Sequence, residues 1–294
     1  RAGRRQPKVM NTCLVALGLI SAVVSAWAAA PVTSLDTELE PWIGDFDGML
    51  ERRMVRVLVP YSRSLYFVDK GAQRGLVADS LKDFEVFLNK KYKLKRHPIS
   101  VIALPTTREQ MLPGLLQGLG DIAAGNLTVT AERAKRVHFS TAVRKGIVEI
   151  VVTGPVSPAL ASLDDLAGQT VHVRRSSSYY ESLARLNQRF RERRMPEAKL
   201  VLVPDALEDE DMMEMLGAGL LGVIVADDWK AKLWAQLVPK IEPRPDLTLS
   251  SPGDIAWALR KQSPKLAELG NEFIGAHPCA FAARCTRLPA YITR

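Results

Sequence analysis

A chain of 294 residues, 47% apolar and 24% charged, can bury two cores of ordinary size, and this balance excludes a disordered or membrane-embedded protein. Its formal net charge of +8 invites a polyanionic partner, yet Arg1, Arg4, Arg5 and Lys8 all precede Asp36, the first acidic residue. Removing that basic start halves the excess, which argues against nucleic acid as a partner.

The basic start leads into an apolar run from Leu14 to Val24 and then Ala26-Trp27-Ala28-Ala29-Ala30. This order reads as a secretory signal over residues 1–30, with cleavage after Ala28 fitting the small-x-small rule. The run is short for a bilayer, so cleavage is expected over a retained anchor. Residues 31–53 read as a Pro-containing linker. Cys13 opens the apolar run and is poorly placed for lipid attachment; Cys279 and Cys285 could pair across a small terminal loop in an oxidising compartment. His97, His138, His172 and His277 are scattered, and no metal-ligand spacing appears.

Met54 to Val59 reads as a first strand, Ser80 to Lys90 as an amphipathic helix, Ile99 to Leu104 as a strand, Thr107 to Leu119 as a helix and Asp121 to Ala124 as a short buried strand. A second series follows: strands at Val148–Val152, Thr170–Val173, Lys199–Val203 and Leu221–Ala226, with helices at Tyr179–Arg194, Leu207–Leu216 and Asp228–Leu237. The rhythm breaks near Thr153, so two α/β lobes are the economical arrangement. A late strand at Ile255–Arg260 and a helix at Pro264–Ile274 are expected to return to the first lobe. Lobe 1 would then hold about 54–150 plus 248–274 and lobe 2 about 151–247, joined by a hinge of more than one segment. Residues 275–294 form an atypical tail without helical period.

In open parallel sheets, ligands sit at the carboxyl ends of strands, where loops and helix starts present unpaired N–H groups. Gly125 to Arg133 follows a strand directly and offers Asn126, Thr128, Thr130 and Arg133; Arg can hold a carboxylate in two parallel hydrogen bonds. The bland alternative makes Thr130 a helix cap and Arg133 a solvated first-turn residue. In the second lobe, Ser177 and Ser178 open a helix and could cap it or grip a polar ligand group. Asp227 could receive an ammonium group or serve as an N-cap. Tyr61, with Tyr66 and Phe67, could wall a cleft or belong to the core. The arginines from Arg185 to Arg194 read as a solvated face, and Glu208 to Asp211 as a helix start favoured by the dipole. No nucleophile elbow, phosphate loop or dinucleotide fingerprint is present, so no catalytic residue and no cofactor is expected.

Val55 to Val59, Gly125-Asn126-Leu127-Thr128-Val129-Thr130-Ala131-Glu132-Arg133, Phe139-Ser140 and Ser162 to Gly168 occur in an order that resembles bacterial extracellular solute-binding proteins of family 3. Ile255 to Lys261 and Asn271 to Ile274 look closest to the N-terminal binding domain of membrane-bound lytic transglycosylase F-like proteins. The resemblance implies a two-lobed type II periplasmic binding protein-like fold, each lobe a mainly parallel sheet flanked by helices. It implies an amino acid, short peptide or peptidoglycan fragment as ligand, a membrane transporter or cell-wall enzyme as partner, and a periplasmic location. Asn126, Thr128 and Arg133 would grip the ligand's carboxylate side, Ser177 and Ser178 would contribute from the second lobe, and Asp227 would meet an ammonium. Arg174-Arg175 departs from the family pattern. No peptidoglycan-cleaving domain follows within this sequence, which implies a sensor or regulatory domain without the enzyme, or a truncated product whose tail is read out of frame.

Overall fold

The computed structural model describes residues 40–277. The expected signal over 1–30 and the cysteine pair in the tail lie outside the described residues.

The segment expected to be linker carries a helix, α1 (Phe46–Glu51), whose Phe46 and Met49 are buried in the core. Asp45 explains its position. Its side chain accepts from the Phe46 N–H and from the N–H groups of Lys265 and Leu266, so one carboxylate caps two helix starts.

The first sheet runs β4 (Ser100–Thr106), β1 (Met54–Pro60), β5 (Ile122–Thr128), β13 (Gly253–Leu259), β6 (His138–Phe139), with β7 (Arg144–Ile147) also on β13. β4, β1 and β5 are parallel; β13 is antiparallel to β5. A small hairpin, β2 (Phe67–Asp69) and β3 (Ala72–Arg74), precedes helix α2 (Leu76–Lys91). Leu76, Val77, Leu81, Phe84 and Leu88 form the buried face of α2. Helices α3 (Arg108–Leu116), α4 (Ala131–Arg136) and α8 (Pro264–Ala276) complete this lobe.

The second sheet runs β10 (Lys199–Leu202), β9 (Thr170–Val173), β11 (Val223–Asp227), β8 (Glu149–Thr153), β12 (Glu242–Thr248), with the first three strands parallel and the last two antiparallel. Helices α5 (Ser178–Glu192), α6 (Asp209–Gly217) and α7 (Asp228–Trp234) pack on it. Leu183, Leu186 and Phe190 of α5 face the core, while Arg191 and Arg193 are more than half exposed.

The chain passes from one sheet to the other at Val148, between β7 and β8, and again over residues 249–252, between β12 and β13. The two crossings are bonded to each other: Leu249 donates its N–H to the Glu149 carbonyl at 2.8 Å, and the Glu149 N–H donates to Ser250 Oγ at 3.1 Å. The strand that begins at Glu149 therefore already belongs to the second sheet, a few residues before the break near Thr153 that the sequence rhythm suggests.

Candidate functional site

The carboxyl ends of β1 and β5 face those of β9 and β11 across a cleft closed by side chains from both lobes. β5 is longer than its apolar core implies. It continues through Thr128, and the ladder with β13 slips: Ala256 pairs with Leu127 but Ala258 pairs with Ala123. The extra residues form a bulge in which Asn126 adopts a φ of 59°. Asn tolerates this left-handed conformation better than most side chains, and bulges re-aim side chains. Gly125 is needed beside it, because a Cβ there would stand 2.5 Å from Pro60 Cδ and 2.7 Å from Met111 Cε.

The bulge delivers Asn126 to the other lobe, where its Nδ2 donates to Asp227 Oδ2 at 2.6 Å. Ser178 Oγ donates to Thr128 Oγ1 at 3.1 Å. Arg133 Nη1 donates to the Thr128 carbonyl and Nη2 to the Ser176 carbonyl, each at 3.2 Å, while Nε stands 3.4 Å from Glu181. Asn126, Thr128, Arg133, Ser177 and Ser178 line one small chamber of about 30 Å³, room for about two waters.

The remaining candidates fall elsewhere or do other work. Thr130 caps α4, its Oγ1 accepting from the Arg133 N–H at 3.3 Å. Ser177 caps α5 by accepting from the Tyr180 N–H at 3.2 Å and donates to the Arg174 carbonyl at 2.7 Å, so both of its polar functions are used locally. Tyr61 is 60% exposed and lines a separate recess of about 330 Å³ beside Thr107, Arg108 and Asp205. Asp227 ends β11 at the N-cap of α7 but makes no side-chain cap bond.

Electrostatics concentrate around residues that sequence reasoning passed over. Glu208, Asp209 and Glu210, expected as a helix start, do open α6 but are 4%, 1% and 1% exposed. Asp209 is paired with both Arg174 and Lys230, and Tyr179 Oη donates to it at 3.1 Å. Burial opposes its charge, but the two cations win and hold its carboxyl well below the usual range. Glu208 accepts a fork from Arg108, Nε to Oε1 at 2.8 Å and Nη2 to Oε2 at 2.7 Å. Burial again opposes ionisation, and Arg108 keeps Glu208 below the ordinary value. Glu210 accepts from Ser62 Oγ at 2.6 Å across the lobes and is raised, by burial first and then by Glu208. Burial pushes Asp227 up to about 6 despite Lys230 nearby, and its Oδ1 has no hydrogen-bond partner. Desolvation lowers Arg133. Four acidic residues in a row gave no hint of burial, because their counter-cations lie far off in sequence.

Among the described residues, no group of three or more His, Cys, Asp or Glu side chains could hold a metal ion, and no helix is long and apolar enough to cross a membrane.

This two-sheet fold and its cleft agree with the family model for bacterial extracellular solute-binding proteins, family 3, which matches residues 60–277. The chain belongs to that family. In structure, the protein is similar to an amino acid ABC transporter substrate-binding protein from Streptococcus pneumoniae, solved bound to L-arginine: TM-score 0.64, 18% identity, covering 84% of this chain and 96% of that one. It is similar also to a putative L-cystine ABC transporter protein from Listeria monocytogenes, TM-score 0.64 at 16% identity, covering 76% and 89%. These likenesses establish the type II periplasmic binding protein-like fold. By sequence, the chain is 27% identical over 209 residues to membrane-bound lytic murein transglycosylase F of Methylobacillus flagellatus, covering 71% of this chain and 41% of that protein. It is 30% identical over 164 residues to the protein of the same name from Saccharophagus degradans, covering 55% and 30%. The chain thus spans less than half the length of these curated relatives.

Proposed function

We propose that this family 3 protein is exported and traps an amino acid or short peptide by closing its two lobes, as a transport or sensor component. The carrying observation is that Asn126, Thr128 and Arg133 of one lobe meet Ser176, Ser178 and Asp227 of the other across a cleft with two crossing segments behind it. With about 30 Å³ left, an amino acid enters only if the hinge opens. Arg133 then exchanges its two carbonyl partners for a ligand carboxylate, a charge-assisted pair that is stronger in a desolvated site. The unpartnered Oδ1 of Asp227 is suited to an ammonium.

The relatives named as murein transglycosylases favour a regulatory variant of the same reading, in which the ligand is a peptide fragment of peptidoglycan and the partner a cell-wall enzyme. A thermal-shift screen against amino acids and soluble muropeptides separates the two. A ligand at 100 times its dissociation constant adds about 2.7 kcal/mol. The Arg133→Ala protein is expected to stay folded and lose the shift. A shift of undiminished size in that variant removes Arg133 from the site.

A further inference from the structure

Arg108 reaches three adjoining spaces of the cleft. It lines the small chamber, the recess beside Tyr61, and an open groove of about 550 Å³ that also holds Leu112, Arg133, Arg136 and Arg175. Its three nitrogens are divided between the lobes. Nη1 donates to the Gly125 carbonyl at 2.6 Å within its own lobe, whereas Nε and Nη2 hold the two oxygens of Glu208 at the start of α6 in the other. The pair is nearly buried, with side chains 9% and 5% exposed.

We propose that the cleft selects ligands bearing a second carboxylate, which takes the place of Glu208 on Arg108. This rests on the solute-binding reading above. When the lobes part, Glu208 leaves with the second lobe. The Gly125 carbonyl keeps the guanidinium oriented, with its fork empty and facing the cleft. A solute large enough to hold the lobes apart prevents Glu208 from returning. A neutral side chain at that point leaves a desolvated guanidinium without an anion, which is costly, while a carboxylate restores both hydrogen bonds in the same geometry. Glu208 is therefore an internal stand-in for the ligand's acidic group. The adjoining groove leans the same way: Arg108, Arg133, Lys135, Arg136 and Arg175 line it against the carboxylates of Glu109, Glu132 and Glu181, and Arg136 is exposed. The favoured class is an acidic amino acid or a peptide ending in one, with one carboxylate on Arg133 and the other on Arg108.

Calorimetry on the full chain with L-glutamate, L-glutamine, alanyl-glutamate and alanyl-glutamine tests this. The acidic member of at least one pair is expected to bind tenfold or more tightly than its amide. In Arg108→Gln that ratio falls to about one. In Glu208→Gln, which removes the internal competitor and keeps the helix start, the acidic probe binds more tightly than to the parent. Equal or better binding of both amides, or a preference that survives Arg108→Gln, overturns the proposal while leaving solute binding intact. No heat with any of the four probes, joined to an empty thermal-shift screen, overturns the solute-binding reading beneath it.

Discussion

Two clusters of buried charge lie at opposite ends of the first lobe's sheet, and they differ in what their members are attached to. At the amino ends of the strands, Asp121 is fully buried and faces Arg52, Arg56 and Arg260. Spare guanidinium donors go to the carbonyls of Glu40, Trp42 and Gly118. Every partner belongs to one lobe, so the cluster breaks only if that lobe unfolds. At the carboxyl ends, Asp209, Arg174 and Lys230 belong to the second lobe, but Arg108 and Glu208 come from different lobes. On the proposed hinge motion, that pair breaks whenever the lobes part. The anions are buried in both places. Connectivity decides whether an ion pair holds the fold or reports its movement.

The comparison is broken most forcefully at Asp121. Asp121→Asn leaves three guanidiniums without their anion and is expected to cost about 3–5 kcal/mol in urea denaturation, since an uncompensated buried charge is expensive. A loss under about 1 kcal/mol would show that the carbonyl partners alone hold the cluster. Next in size is a pH effect at the cleft. Asp227 stands at about 6 in the folded chain, against about 3.9 when unfolded. Its protonation therefore favours the fold, a contribution present in full below the unfolded value and lost as pH rises through the folded one. Glu210 acts in the same direction, while Glu208 and Asp209 act oppositely and lose their contribution as pH falls through the lower carboxylate range. Between pH 7 and pH 5, protonation of Asp227 by itself adds roughly 1.3 kcal/mol. Melting temperature should rise over that interval, and Asp227→Asn should reduce the rise. The smallest effect sharpens the contrast within the cleft itself. Ser177 spends both its polar functions on its own helix start, so Ser177→Ala should cost about 1 kcal/mol of stability in denaturation, the usual value of an N-cap.

Sequence periodicity placed most strands and the longer helices because their apolar faces are local patterns. It gave β9 its observed bounds and showed α5 by its leucine stripe. It missed α1, whose Phe46 and Met49 are too few to make a period, and β12, where Pro243 and Pro245 obscure an edge strand. The strand-end logic singled out Asn126, Thr128, Arg133, Ser178 and Asp227, which lie side by side in the fold. Thr130 and Ser177 turned out to cap helices, a competing use of the same hydroxyl chemistry. Arg108 and Glu208 were invisible because each is an unremarkable helix-start residue in its own segment, and only closure of the lobes makes them neighbours.

The side-by-side bonding of Glu149 with Leu249 and Ser250 carries a mechanical consequence. If the lobes part as proposed, bending one crossing drags the other, which favours rotation over twisting and sliding. On that proposal, whatever the cleft contains is expressed outwardly as one angle. Any neighbouring molecule that must tell an empty copy from a loaded one needs to gauge that angle alone, at any point on the surface that swings with it.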